Sequence, residues 1–340
     1  MKSITASFPK ALVCHALAAF AVCASSSTLS AAWVTLQLPN LTETFGSYQS
    51  ANLSDGRFVF GTTNQLDTQN TFGSSALTSF SNAQTWDPSS VAVQSNTLGA
   101  IGVGTFAPSG IYTFDPSNPS SAFTAIPGLS IQNYHMEFRD SSSLFVVGAN
   151  GSQPGLFSQD NSLSYVKLDG SVNKVIIDNI SSFSGGFTLD LAGNLYITND
   201  DDLKLYKFTP AQLNAAIAGA ALSITDGSYV TTLRADGSVA VDAMGRIWSA
   251  GFQINGIDLY DPSNGASANF TPGFNNDNYV VSDFSDGAND YISYINASGT
   301  DAGSSLTYGY EKSSNLVPEP SSTALLAFGI AGVACRRRRS

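Results

Sequence analysis

The chain is short of charge, of cysteine and of histidine, and each scarcity narrows what it can do. Of its 340 residues 12% are charged, about half the roughly 25% of an average globular protein. With 43% hydrophobic residues this is not the composition of a disordered or coiled-coil chain. Lys and Arg number 15 against 26 Asp and Glu, so no basic surface stands ready for phosphates and no nucleic-acid partner is expected. The three cysteines, Cys14, Cys23 and Cys335, lie near the ends, and between Trp33 and Val317 the one histidine is His135. That central stretch therefore has no disulfide and cannot build the His and Cys ligand sets of zinc or copper centres. Its 285 residues carry nine basic and 25 acidic side chains, a formal charge of −16. They are enough to bury a sizeable core without covalent help.

The two ends read as processing segments. Lys2 and Lys10 flank the start of an apolar run from Ala11 to Ala24, followed by small residues up to Ser30, Ala31 and Ala32. This is the pattern of a secretory signal peptide cleaved near Ala32, with Ser30 also acceptable. The alternative, a membrane anchor, needs roughly 20 apolar residues, more than the run supplies. At the other end Pro318, Glu319 and Pro320 precede an apolar segment from Thr323 to Cys335 and then Arg336, Arg337, Arg338 and Arg339. Thirteen residues at ~1.5 Å each reach only ~20 Å of a ~30 Å hydrocarbon layer, a marginal span whose arginines hold its end on the cytoplasmic side. The expected organisation is a signal peptide over 1–32, one domain over 33–312 and a sorting tail over 313–340.

The order of Pro318-Glu319-Pro320, the Ala324 to Ala334 segment and the Arg336 to Arg339 cluster resembles the PEP-CTERM sorting signal. The resemblance covers the tail alone. It implies export, recognition by an exosortase-type membrane enzyme, cleavage near the motif, and release or attachment at the surface of a cell that often makes exopolysaccharide. The membrane is then met only transiently, as with other removable C-terminal anchors. A permanent short anchor is the alternative.

Internal repeats bear on the fold. SVAVQSNTLGAIGVG from Ser90, HMEFRDSSSLFVVG from His135, GFTLDLAGNLYITN from Gly186 and SVAVDAMGRIWSAG from Ser238 each read as strand, polar turn, strand. A following strand recurs at Ile111, Leu156, Leu205 and Ile257, and weaker copies start at Ser50 and Tyr279. Gly193 and Gly245 permit tight hairpin turns, and Asp115-Pro116 and Asp261-Pro262 end strands. A spacing near 45 residues matches a four-stranded propeller blade, and 285 residues hold about six. The expected fold is all-β, a β-propeller of about six blades, with a jelly-roll or sandwich as the alternative. Thr209, Pro210 and Gln212 form a helix start, which predicts one short helix over Pro210 to Leu222, placed between blades. The segments TLDLAGNLYIT and AVDAMGRIWSA look like blades of NHL-repeat, gluconolactonase-like and virginiamycin B lyase-like propellers. Their shared residues, Asp190, Gly193, Asp242 and Gly245, are turn and strand residues and imply fold, not reaction.

Candidate chemistry is sparse. His135 begins a strand two residues from Glu137, so the pair is either a catalytic Glu/His couple or an ordinary strand-edge histidine. No G-x-S-x-G elbow accompanies it. No cofactor is expected; calcium alone among metals suits the composition, because it takes carboxylate and carbonyl oxygens. Asp200, Asp201 and Asp202 form one acidic cluster; Asn275, Asn276, Asp277 and Asn278, with Asp283, Asp286 and Asp290 nearby, form another. Neither has EF-hand spacing, and both read first as solvated loops. Gluconolactonase-like propellers bind a divalent ion in their channel, as the resemblance implies, but no matching ligand motif is found. Tyr206, Trp248, Tyr260, Tyr291 and Tyr294 read as blade packing, with a sugar platform as the alternative. The stretches Thr62 to Asn82 and Ala297 to Ser305 read as surface loops. The favoured function is a non-catalytic surface or matrix scaffold partnered by an exosortase and exopolysaccharide. The alternative is an exported hydrolase or lyase with a divalent ion in the channel. Convergent Asp, Asn or Glu side chains at the channel mouth would favour the enzyme, and a lining of apolar or small residues would exclude it.

Overall fold

The computed structural model describes residues 33–43, 49–62, 65–81, 88–103, 110–131, 133–148, 161–180, 186–199, 201–234, 237–251, 256–270, 278–297 and 304–316. Pro318, Glu319, Pro320 and Arg336 to Arg339 lie outside the described residues, as does the whole of 1–32.

Six predominantly antiparallel sheets follow one another along the chain. Each starts with an inner strand: Gln49–Asn52, Pro88–Ser95, His135–Asp140, Phe187–Leu189, Ser238–Val241 and Asn278–Ser285. Adjacent inner strands pack on one another right round a ring, the last against the first. The fold is a six-bladed β-propeller, with blades numbered here in chain order. The sixth blade takes its outermost strand, Val34–Glu43, from the start of the domain; it pairs antiparallel with Ser304–Lys312, Leu36 opposite Tyr308. This pairing closes the ring without a covalent bond.

Apolar side chains on opposite faces of each sheet explain both the strands and their stacking. In the second strand of blade 3, Ser143–Gly148, every residue is buried. Phe145 and Val147 join Phe187 and Leu195 of blade 4, while Leu144 and Val146 join Ala100 and Ile111 of blade 2. A strand covered on both faces reads as an unbroken apolar run, as this one does. The seam between blades 6 and 1 is filled in the same way by Leu38, Phe58, Phe60, Ile295 and Tyr308.

The hairpin turns behave as their residues dictate. Asp190 Oδ1 accepts from the backbone N–H groups of Ala192 and Asn194, and Asp242 Oδ1 from those of Met244 and Arg246. Gly193 and Gly245 take φ of +75° and +77°, which a side chain would oppose. Asp115 and Asp261 each close their turn on the N–H and hydroxyl of the serine two residues on.

Three expectations are corrected. The third strand of blade 3 is Ser162–Lys167, paired with Ser143–Gly148, so the copy aligned at Leu156 is out of register and lies outside the described residues. Its apolar alternation belongs as well to SLSYVK, and spacing alone could not choose. The stretch Thr62 to Asn82 holds strands Gln65–Gln69 and Leu77–Ser79 of blade 1. Polar residues hid them: Asp67, Thr68 and Gln69 are buried, with Gln65 Nε2 donating to Asp67 Oδ2. Burial also raises the Asp67 pKa.

The third correction concerns the helix, which is Pro210–Ala218 and sits within blade 4, between its strands Lys204–Phe208 and Ser228–Thr232. Its start is as expected, the Gln212 N–H donating to Thr209 Oγ1 and the Thr209 N–H to Gln212 Oε1. It ends early because Gly219 turns the chain into Leu222–Ser223, which pairs parallel with Ile177 and Asp178 of blade 3. Lys174 of blade 3 donates to the carbonyls of Ile217 and Gly219, placing a cation where the last turn leaves acceptors unpaired. The insertion thus fastens blade 4 to the edge of blade 3.

Candidate functional site

The six inner strands enclose a cavity of about 300 Å³ on the propeller axis. Five of them contribute polar side chains to it: Asn52, Gln94, His135 with Glu137, Thr188 and Asp283. Blade 5 contributes Val239 and Ala240, and no Lys or Arg is among the lining residues. The lining is therefore mixed, with two carboxylates and no compensating cation.

His135 and Glu137 do come together. On one strand, residues two apart share a face, and His135 Nε2 lies 3.7 Å from Glu137 Oε1. The imidazole stands edge-on to Phe187, ring centroids 4.8 Å apart. Glu137 Oε2 accepts from the Leu189 backbone N–H at 3.0 Å. Half of this carboxylate thus joins the inner strands of blades 3 and 4, and the other half faces the histidine.

Asp283 comes from blade 6. Its side chain keeps water contact in the channel, yet protein crowds it closely. That crowding, with the negative charge of Glu137 adding to it, pushes its pKa up to about 7. A carboxyl poised near neutrality can hold or release a proton, as a general acid or base must.

The other acidic residues do not join them. Asp286, three residues on, turns to the hairpin, where the N–H groups of Ala288 and Asn289 and the Tyr291 hydroxyl bring its pKa down to about 2. Asp202 pairs with Lys204 at 2.7 Å, and the Asp201 N–H donates to Asn199. Asp200 and residues 275–277 lie outside the described residues. Among the described residues no three His, Cys, Asp or Glu side chains form a group able to hold a metal ion.

The aromatic residues pack the blades. Trp248 and Tyr294 are no more than 1% exposed, Tyr206 and Tyr291 are buried and Tyr260 is half-buried, so these five form no sugar platform. Sequence reasoning named Glu137 and Asp283 for separate reasons but missed their convergence. It also passed over Arg246, although the matching turn position of blade 4 carries a shorter, neutral residue, Asn194. Arg246 pairs with Asp242 at 2.7 Å with both side chains buried. It also donates to the carbonyls of Ser313 and Leu316.

Residues 316–339 match the PEP-CTERM protein-sorting motif. No curated protein matches the chain significantly. Among solved structures it is similar to a calcium-binding regucalcin from Agrobacterium tumefaciens, at 14% identity and a TM-score of 0.58, over 81% of this chain and 93% of that one. It is also similar to a gluconolactonase from Xanthomonas campestris, at 13% identity and a TM-score of 0.58, over 83% and 89%. A putative gluconolactonase gives 11% identity and a TM-score of 0.57, over 84% and 95%. Likeness at such identities is a likeness of fold. No helix among the described residues is long and apolar enough to cross a membrane.

Proposed function

We propose that the chain is an exported, exosortase-sorted envelope or surface protein whose propeller is a binding scaffold associated with exopolysaccharide. The observation that carries this reading is the junction at Leu316. The matched motif begins there, and Leu316 is fully buried in the propeller. A cut beyond it, near Pro318-Glu319-Pro320, would leave all six blades and their closing strand intact. The membrane is then a temporary station for the tail, and the acidic propeller is what remains at the surface.

The test is a tagged chain expressed in a host that makes an exosortase and in the same host lacking it. Processing to a shorter surface or released form in the first host alone is expected, with loss of processing when Pro318, Glu319 and Pro320 are replaced by alanine. Identical full-length chains in both hosts would overturn the sorting reading. Co-sedimentation of the processed form with exopolysaccharide from the same cells tests the association.

A second reading is favoured by one observation, the two carboxylates Asp283 and Glu137 facing one channel. It makes the propeller a hydrolase or lyase, in line with the gluconolactonases of the same fold. Lactone hydrolysis lost on Asp283→Asn and on Glu137→Gln would establish it, and calcium and magnesium titration would show whether a metal takes part. Native-state binding raises stability by about 2.7 kcal/mol at a hundredfold excess over Kd.

A further inference from the structure

We propose that the face of the propeller carrying the turns between first and second strands rests on a lipid bilayer while the tail is still attached, with Leu191 and Met244 as its contacts. This rests on the reading of the tail as a membrane-held sorting segment.

The first argument is where the chain leaves the fold. In the last strand Lys312 lies opposite Tyr291, next to the first-to-second-strand turn of blade 6, Asp286 to Asn289. The exit is therefore on the hairpin face. It is also held firmly: Ser313 Oγ donates to the Asp290 carbonyl at 3.2 Å, and Arg246, on the blade 5 hairpin, holds the carbonyls of Ser313 and Leu316. Only residues 317–323 separate Leu316 from the apolar run that starts at Ala324, and seven residues span at most about 25 Å. A bilayer holding that run would have this face of the propeller close to it.

The second argument is what the face displays. At the tips of the corresponding turns blade 1 has Asp55, blade 2 Asn96 and Thr97, blade 3 Ser141 and Ser142, and blade 6 Asp286. Blades 4 and 5 instead carry Leu191, 93% exposed, and Met244, 55% exposed. The turns do not need them, because each is closed by an aspartate accepting backbone N–H groups. The two apolar tips lie in adjacent blades, and the Met244 hairpin is the one whose Arg246 holds the exit. Residues 33–317 together carry a formal charge of −16, which anionic lipid repels, so the partner is a zwitterionic bilayer surface.

The test uses the chain from Trp33 onward, as removal of the signal peptide leaves it, with Cys335 replaced by serine and one new cysteine in turn, Leu191→Cys, Met244→Cys or, as control on the opposite face, in the turn between the second and third strands of blade 4, Asp201→Cys. Each is labelled with an environment-sensitive fluorophore and reconstituted with phosphatidylcholine vesicles. The expected result is that all three float with the vesicles, while only the labels at 191 and 244 shift to the blue and escape an aqueous quencher. Flotation with all three labels equally quenched would overturn the proposal and spare the tail reading. Absence of flotation would overturn the tail reading, and the proposal with it. A blue shift at 191 and 244 without vesicles, rising with protein concentration, would assign the face to a second copy instead.

Discussion

The Arg246 guanidinium reaches the carbonyl of Ser313, 67 positions further along the chain, at 2.5 Å. This joins the inner hairpin of blade 5 to the last turn of the domain. Arg246 also pairs with Asp242 at 2.7 Å and lies over Trp248, whose indole N–H donates to the same carboxylate. The hairpin does not depend on the arginine, since blade 4 makes the same turn with Asn194. The burial of a charged pair is explained by the segment after the last strand that it holds, at Ser313 and Leu316.

Arg246→Ala is therefore expected to destabilise the propeller by about 3–5 kcal/mol, because Asp242 is left charged, buried and without its cation. Asp242→Asn combined with Arg246→Met should recover part of that loss, since no unpaired charge remains. Urea unfolding of the three variants checks both statements.

Asp283 sets a dependence on pH. Its pKa rises from 3.8 in the unfolded chain to about 7 in the fold, so the folded state binds the extra proton between those values. Its ionisation weakens the fold, with no penalty below about pH 4 and the full penalty above about pH 7. Asp283→Asn should raise Tm at pH 8 and leave it unchanged near pH 4. Water in the channel screens the charge, so the gain is of order 1 kcal/mol. Thermal melts at the two pH values decide it, and an equal shift at both would contradict the assignment.

Gly309 lies in the last strand, where a Cβ would come within 2.2 Å of the Tyr294 ring. Tyr294 is buried and cannot swing away. Gly309→Ala should cost about 1–3 kcal/mol by overpacking, in the blade whose outermost strand closes the ring. Chemical denaturation measures the loss, and Tyr294→Phe in the same background should not restore it, because the ring remains.

The helix of blade 4 depends on its first residue. Thr209→Ala removes the acceptor for the Gln212 N–H and should cost about 1 kcal/mol. Thr209→Ser keeps the hydroxyl and should cost much less. Amide exchange over residues 210–218 is expected to quicken in the first variant alone.

Much of this protein could be read from the residues in order. Hairpins with glycine at a left-handed position, Asp-Pro strand ends and a repeat near 45 residues are local features, and blade geometry follows from them because each blade is built from neighbouring residues. The helix start at Thr209 and the tail motif were legible for the same reason. Tertiary structure alone decided the rest. Gln65–Gln69 is a strand because it pairs with Phe58–Thr62 and Leu77–Ser79 inside a blade, which no hydrophobic pattern records. Glu137 and Asp283 face one channel only because a closed ring brings blades 3 and 6 around it, and Arg246 finds Ser313 only because the last blade returns beside the fifth. Local conformation is set by neighbours in sequence, whereas the raised pKa of Asp283 and the grip of Arg246 on Ser313 and Leu316 arise between residues that the ring brings together across long separations.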